Sequence, residues 1–152
     1  MKVSAAEIEQ RIEHFRTTLK ESGMKLTHQR LEIFREIAGS CEHPDADTVF
    51  KGVRERVPNV SLDTVYRTLW MLTDRGLLQT LGCHRGRAQF DANTKKHHHF
   101  ICTKCGVAHD FYSDEFNELP VPDDVRRMGA VEDTHVEVRG ICADCQKNNS
   151  GE

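Results

Sequence analysis

The sequence predicts an α+β protein. Its front half carries helices followed by a hairpin, and its rear half is a smaller unit of short strands and helical pieces. Two observations predict this. Up to Gly76 apolar residues recur at helical spacing behind capping residues; the period then shortens to that of strands. Two Cys-x-x-Cys pairs, Cys102/Cys105 and Cys142/Cys145, bracket the rear half.

Each element has a local reason. Ser4 and Glu7 form a capping box before Ile8, Ile12, Phe15 and Leu19, and the helix ends near Gly23. Thr27 caps a second helix with Leu31, Phe34 and Ile37 on one face, ended by Gly39. A third starts at Asp45, carries Val49, Phe50 and Val53, and stops before Pro58. Ser61 caps a fourth, whose Leu62, Val65, Leu69 and Leu72 are expected inward, with Thr64, Arg67 and Thr68 outward. Leu77–Leu81 and Ala88–Phe90 then read as strands around a turn over 82–87. Helices followed by a hairpin make a winged helix-turn-helix pattern; the alternative is a generic helical domain with a hairpin. The polar residues 91–96 read as a hinge between a first domain, 1–90, and a second, 97–152. In the second, 99–102, 107–112 and 131–138 are expected strands, and 115–119 and 123–128 short helices.

Composition narrows the function. The chain has 152 residues, 38% hydrophobic and 30% charged, which suits a soluble protein with modest cores. No run approaches the ~18 apolar residues of a membrane span, and the first residues lack the apolar block of a signal peptide. Residues 1–90 hold 14 Lys+Arg against 12 Asp+Glu, and residues 91–152 hold 7 against 12. The front half is suited to a polyanion and the acidic rear half to cations. Six cysteines without an export signal imply a reducing compartment, and the expected location is cytoplasmic.

Cys102-x-x-Cys105 and Cys142-x-x-Cys145 let two tight knuckles present four sulfurs to one ion. Zinc prefers that tetrahedral set, and a site filled by protein is structural. Gly106 suits the knuckle turn. The alternatives are two unrelated pairs or a redox motif. Cys41 and Cys83 stand alone. In His97-His98-His99, strand alternation points His97 and His99 together and His98 away. Asp110 lies on the next strand, Asp91 at the hinge, and His43 in the loop before the third helix. Imidazoles with carboxylates suit iron, manganese or zinc; the alternative is surface decoration. His98 and His135 are weaker candidates for a second site, and His14, His28, His84 and His109 are read as ordinary.

HHHFICTKCG, preceded by FDANTKK and followed by CADC, resembles the ferric uptake regulator family. So do MKLTHQRLEIF, EHPDADTVF and NVSLDTVYRTLWMLTDRGLL in the front half; the resemblance covers about residues 20–146. It implies a winged-helix DNA-binding domain, a hinge and a C-terminal α/β dimerisation domain. It also implies a homodimer that represses transcription from palindromic double-stranded DNA and is not an enzyme. The family's regulatory ligands for Fe(II) or Mn(II) fall on His43, Asp91, His97, His99 and Asp110, beside structural zinc on Cys102, Cys105, Cys142 and Cys145. Aspartate at both 91 and 110 resembles the peroxide-sensing branch, where His43 or His97 takes up oxygen. The alternative is an iron- or zinc-uptake regulator without that chemistry. Tyr66 and Arg67 match the family's DNA-contacting pair and Lys25 its minor-groove contact; wing residues Arg85 and Arg87 are expected near phosphates. Lys96 and Thr134 stand where a second family metal site often has histidines. Outside the family, a His/Asp metalloenzyme and a zinc-built interaction module are the competing classes.

Overall fold

The computed structural model describes residues 2–84 and 87–149. These fall into two compact units, dividing between Thr94 and Lys95. The expected turn residue Arg85, and the side chains of Cys83 and His84, lie outside the described residues.

The first unit is built from α1 (Ala5–Glu21), α2 (His28–Ala38), α3 (Ala46–Arg54), α4 (Leu62–Asp74) and the hairpin β1 (Gln79–His84) and β2 (Arg87–Asp91). The first, second and fourth helices start on the expected caps, and Asp45, expected as the first residue of the third, caps it. The side chains of Ser4, Thr27, Asp45 and Ser61 accept hydrogen bonds from the amides three residues on. α1 and α4 end in Schellman turns on Gly23 and Gly76, at φ +66° and +72°, a region in which a Cβ is costly. The next amides, of Met24 and Leu77, donate back to Leu19 and Leu72.

The core gathers Phe15, Leu19, Ile33, Phe34, Ile37, Val49, Val53, Val65, Leu69, Leu72 and Phe90. Phe15 and Phe34 stack at 4.5 Å. Trp70 of α4 meets Phe90 of β2 edge-on, fastening helix to hairpin. Glu32 is buried, and Arg35 and Arg56 neutralise it at 2.9 and 2.8 Å. Arg56 also reaches Glu36.

Three local expectations need correction. Thr68 is buried, because positions 65, 68, 69 and 72 form the inward stripe of α4. Leu62 stays 42% exposed, since its turn borders an open groove beside Tyr66 and Ala88. The hairpin strands run to His84 and from Arg87, so pairing continues well into the expected turn.

The second unit has β3 (His98–Cys102), β4 (Ala108–Phe111), α5 (Asp114–Asn117), α6 (Asp123–Met128), β5 (Glu137–Gly140) and α7 (Ala143–Asn149). The sheet order is β4-β3-β5, antiparallel on one side and parallel on the other. A parallel neighbour needs a long crossover, and α5 and α6 lie in it. The strand expected over 131–138 forms only from Glu137. Its partner β3 begins at His98, so the residues before Val136 have no strand to pair with. α7 was not foreseen, because CADCQKNN carries no apolar repeat.

Candidate metal centres and recognition surface

The sulfur cluster is a product of the β3 and β5 ends. These strands are parallel, so Cys102 pairs with Gly140, and Cys142 follows two residues later. Thr103 N donates to Gly140 O at 2.8 Å and locks the knuckles side by side. Gly106, at φ +78°, closes the first knuckle. The second runs into α7, which carries Cys145. All four sulfurs lie within 4.8 Å of one another, and Cys105 Sγ is 3.8 Å from Cys142 Sγ. Four thiolates ~2.3 Å from one tetrahedral ion would stand about 3.8 Å apart. The residues therefore fit a zinc ion.

The backbone prepares the thiolates. Amide donors from Cys142 at 3.3 Å and Cys105 at 3.5 Å converge on Cys102 Sγ and lower its pKa to about 6. Cys145 is raised to about 12, by the hydrogen bond with Cys142 and by burial.

The histidine and carboxylate candidates form two groups, one in each unit. In the first unit His43 Nε2 lies 3.3 Å from Asp91 Oδ2, and both side chains are buried. His43 holds φ +50°, in the left-handed region that non-glycine residues rarely adopt. Asp91 is the last residue of β2, paired with Gln79, so it belongs to the hairpin sheet.

In the second unit His97 and His99 bring their Nε2 atoms to 3.0 Å from each other. Asp110, opposite His99 in the β3–β4 register, places Oδ1 3.3 Å from His99 and 3.6 Å from His97. His97 Nδ1 lies 2.5 Å from Lys95 O. That carbonyl can only accept, which fixes the proton on Nδ1 and leaves the Nε2 lone pair directed at the group. Metal-binding imidazoles are commonly oriented this way. Two histidines and a carboxylate suit iron or manganese better than the all-sulfur cluster does.

His98 points the other way, as alternation predicts. Its Nδ1 accepts from Val136 N and its Nε2 donates to Asn117 Oδ1, both at 3.0 Å. Both ring nitrogens thus serve the fold. The rings of His135 and His99 stand edge-to-face, with centroids 6.2 Å apart.

On α4, Tyr66 is 52% exposed, and the Arg67 side chain is 80% exposed and paired with Asp63 at 3.0 Å. Lys25 is exposed in the turn before α2. The guanidinium of Arg87 lies 3.2 Å from Asp47 and 3.5 Å from Asp45, the carboxylates at the start of α3. Sequence reasoning missed this pairing, because the partners lie 40 or more residues away with no periodicity linking them.

A winged-helix unit with an outward Tyr-Arg pair, joined to a unit with a four-cysteine cluster, defines a class: regulators that combine a DNA-reading fold with metal-ligand sets. The chain belongs to the ferric uptake regulator family, whose model matches residues 21–139. It is therefore a metal-responsive transcriptional regulator and not an enzyme. It is 32% identical to the peroxide-responsive repressor PerR of Staphylococcus aureus, over 96% of this chain and 99% of that one. Its fold is similar to that of the Helicobacter pylori ferric uptake regulator, with TM-score 0.71 and 22% identity over 96% and 97% of the two chains. It is also similar to the structure of GAS PerR-Zn-Zn, with TM-score 0.51 and 30% identity over 90% and 87%.

Proposed function

We propose that the protein is a homodimeric, metal-dependent repressor that releases DNA in response to peroxide. Residues 1–90 read DNA, 91–96 act as a hinge, and 97–152 dimerise and bind metal. Cys102, Cys105, Cys142 and Cys145 hold structural zinc. His43 and Asp91 from the first unit, with His97, His99 and Asp110 from the second, hold regulatory Fe(II) or Mn(II). The observation that supports this reading is that the candidate ligands are already gathered, His43 beside Asp91 in the first unit and His97 and His99 beside Asp110 in the second.

Such a set makes the cation a fastener across the hinge. A cation shifts a conformational equilibrium only through different affinities for its two states. Moving it from 1:99 to 99:1 takes ~10⁴-fold, about 5.5 kcal/mol. Loss of one or two of five ligands in the open state is of that order. In a two-fold dimer, paired α4 helices would face a palindromic site, with Arg67 and Tyr66 at bases or phosphates and Lys25 at the minor groove. The cytoplasm is the compartment where such a repressor meets DNA. Among the described residues no helix is long and apolar enough to cross a membrane.

The peroxide response rests on the likeness to PerR and on aspartate at both 91 and 110. Fe(II) held there would supply electron transfer to hydrogen peroxide, which Mn(II) does far less readily; overall one peroxide oxidises one imidazole carbon by two electrons, with one oxygen kept on the ring and the other leaving as water. His43 and His97 are the imidazoles expected to take up the oxygen. An oxidised imidazole is a weaker donor, so the ligand set fails and DNA is released.

Peptide mass spectrometry after peroxide tests this. The Fe(II) protein should gain the mass of one oxygen atom on the peptide bearing His43 or His97, and the Mn(II) protein should not. Loss of repression should follow the same dose. Release of DNA with both histidines unmodified and Cys41 or Cys83 oxidised would make the switch a thiol. No modification and no release would leave an iron- or zinc-uptake regulator.

A further inference from the structure

The loop leading into α3 is bound along β2 from one end to the other. At one end, His43 Nε2 meets Asp91 Oδ2 at 3.3 Å. Next, Phe90 N donates to Pro44 O at 3.0 Å. Asp45 then bridges Gln89 in antiparallel fashion. At the far end the Arg87 guanidinium lies against Asp45 and Asp47. Residues 43–45 thus run beside 91–89 as a strap, entered through the left-handed turn at His43, and the first turn of α3 meets Arg87 through Asp45 and Asp47.

Asp45 serves both sides of this strap. Its Oδ1 accepts from Thr48 N at 2.8 Å and caps α3, while its Oδ2 faces Arg87.

We propose that this strap, with Asp45 and Asp47 as positioning residues for Arg87, couples cation occupancy at His43 and Asp91 to the placement of the β1–β2 hairpin. The coupling operates within the first unit and is separate from any change at the hinge; it rests on the regulatory role of His43 and Asp91. A cation held by both draws the strap to the end of β2. The backbone bonds carry that register to Asp45, and the carboxylates carry it to Arg87. Linkage is reciprocal, so DNA that engages the placed hairpin raises cation affinity by the same factor.

Amide hydrogen exchange of the full, zinc-loaded chain tests the proposal, with Mn(II) as the probe and Mn(II) binding measured by calorimetry. In the wild type, Mn(II) should slow exchange both around the strap and in the hairpin, residues 79–91. In Asp45→Asn/Asp47→Asn, Mn(II) should still bind and protect the strap end, because asparagine keeps the cap. The Mn(II)-dependent protection of the hairpin should fall at least about fivefold, the lower bound of ordinary site-to-site coupling. Arg87→Gln, a change at a largely exposed side chain, should give the same loss and guards against misfolding of the double variant. Full Mn(II)-dependent hairpin protection in both variants would overturn the coupling. So would wild-type Mn(II) binding that leaves the hairpin unprotected, with the regulatory reading intact. Absence of Mn(II) binding to the wild type would overturn both.

Discussion

At the residue scale, the chemistry lies in single side chains whose orientation the backbone dictates. Strand alternation foretold that His97 and His99 share a face and that His98 turns away, and the hydrogen bonds of His98 to Val136 and Asn117 account for the separation. The Arg87 pairing was not legible, because side-chain partners distant in sequence leave no periodic trace. Arg67 yields a direct test. Its guanidinium is exposed, and an exposed pair with Asp63 is worth less than about 1 kcal/mol, so it remains available to DNA. Arg67→Ala should weaken binding to the preferred duplex by ~1–3 kcal/mol and relax selectivity at one position if the side chain reads a base. Binding assays on single-base variants would show uniform weakening if it touches only phosphate. Glu32 offers a second test. The hydrogen bond from Arg56 holds its carboxyl below 4.5. A folded pKa below the unfolded one stabilises above the unfolded value, and the benefit disappears as pH falls through the folded value. The stability gap between wild type and Glu32→Gln should therefore be full at neutral pH and shrink below about pH 4.5. Denaturant unfolding followed by the fluorescence of Trp70, the only tryptophan, reads it.

At the scale of elements, helix starts were the most legible features, since a cap is a contact between residues three apart. The caps at Ser4, Thr27 and Ser61 form as the sequence indicates. Elements defined by distant partners were less legible. β5 begins only at Glu137 because the residues before Val136 lie beyond the start of β3, and Thr68 is buried because the geometry of α4, not its own polarity, decides its face. Phe34 stacks on Phe15 between α2 and α1, and removing it leaves a cavity that a close-packed core cannot fill. Phe34→Ala should cost ~3–5 kcal/mol in the same Trp70 unfolding assay. In the second unit, the four sulfurs join the β3 end to the residues after β5 and to α7. Structural zinc contributes ~10–16 kcal/mol in small peptides, far more than a unit of this size draws from its own core. Cys142→Ser should lose zinc, read by metal analysis, and yield monomer or aggregate on size exclusion. A stable, zinc-free dimer would refute the structural role of the cluster.

At the scale of the whole molecule, the central claim is that cation binding governs DNA binding. The slight basic excess of residues 1–90 and the acidic excess of residues 91–152 suit the two halves to a polyanion and to cations respectively. Assignment of the ligands to one regulatory set was carried by the family resemblance, because spacing alone cannot join His43 to residues some fifty positions on. The claim is tested most directly with the zinc-loaded protein and a duplex selected from a random pool in the presence of Mn(II). Its affinity is then measured with and without Mn(II) at fixed salt. The account predicts an enriched palindrome bound at least about tenfold more tightly with Mn(II), about 1.4 kcal/mol or more. It also predicts that this gain vanishes in His97→Ala while zinc content is unchanged. Equal affinity with and without Mn(II), or no enrichment of any sequence, would contradict it.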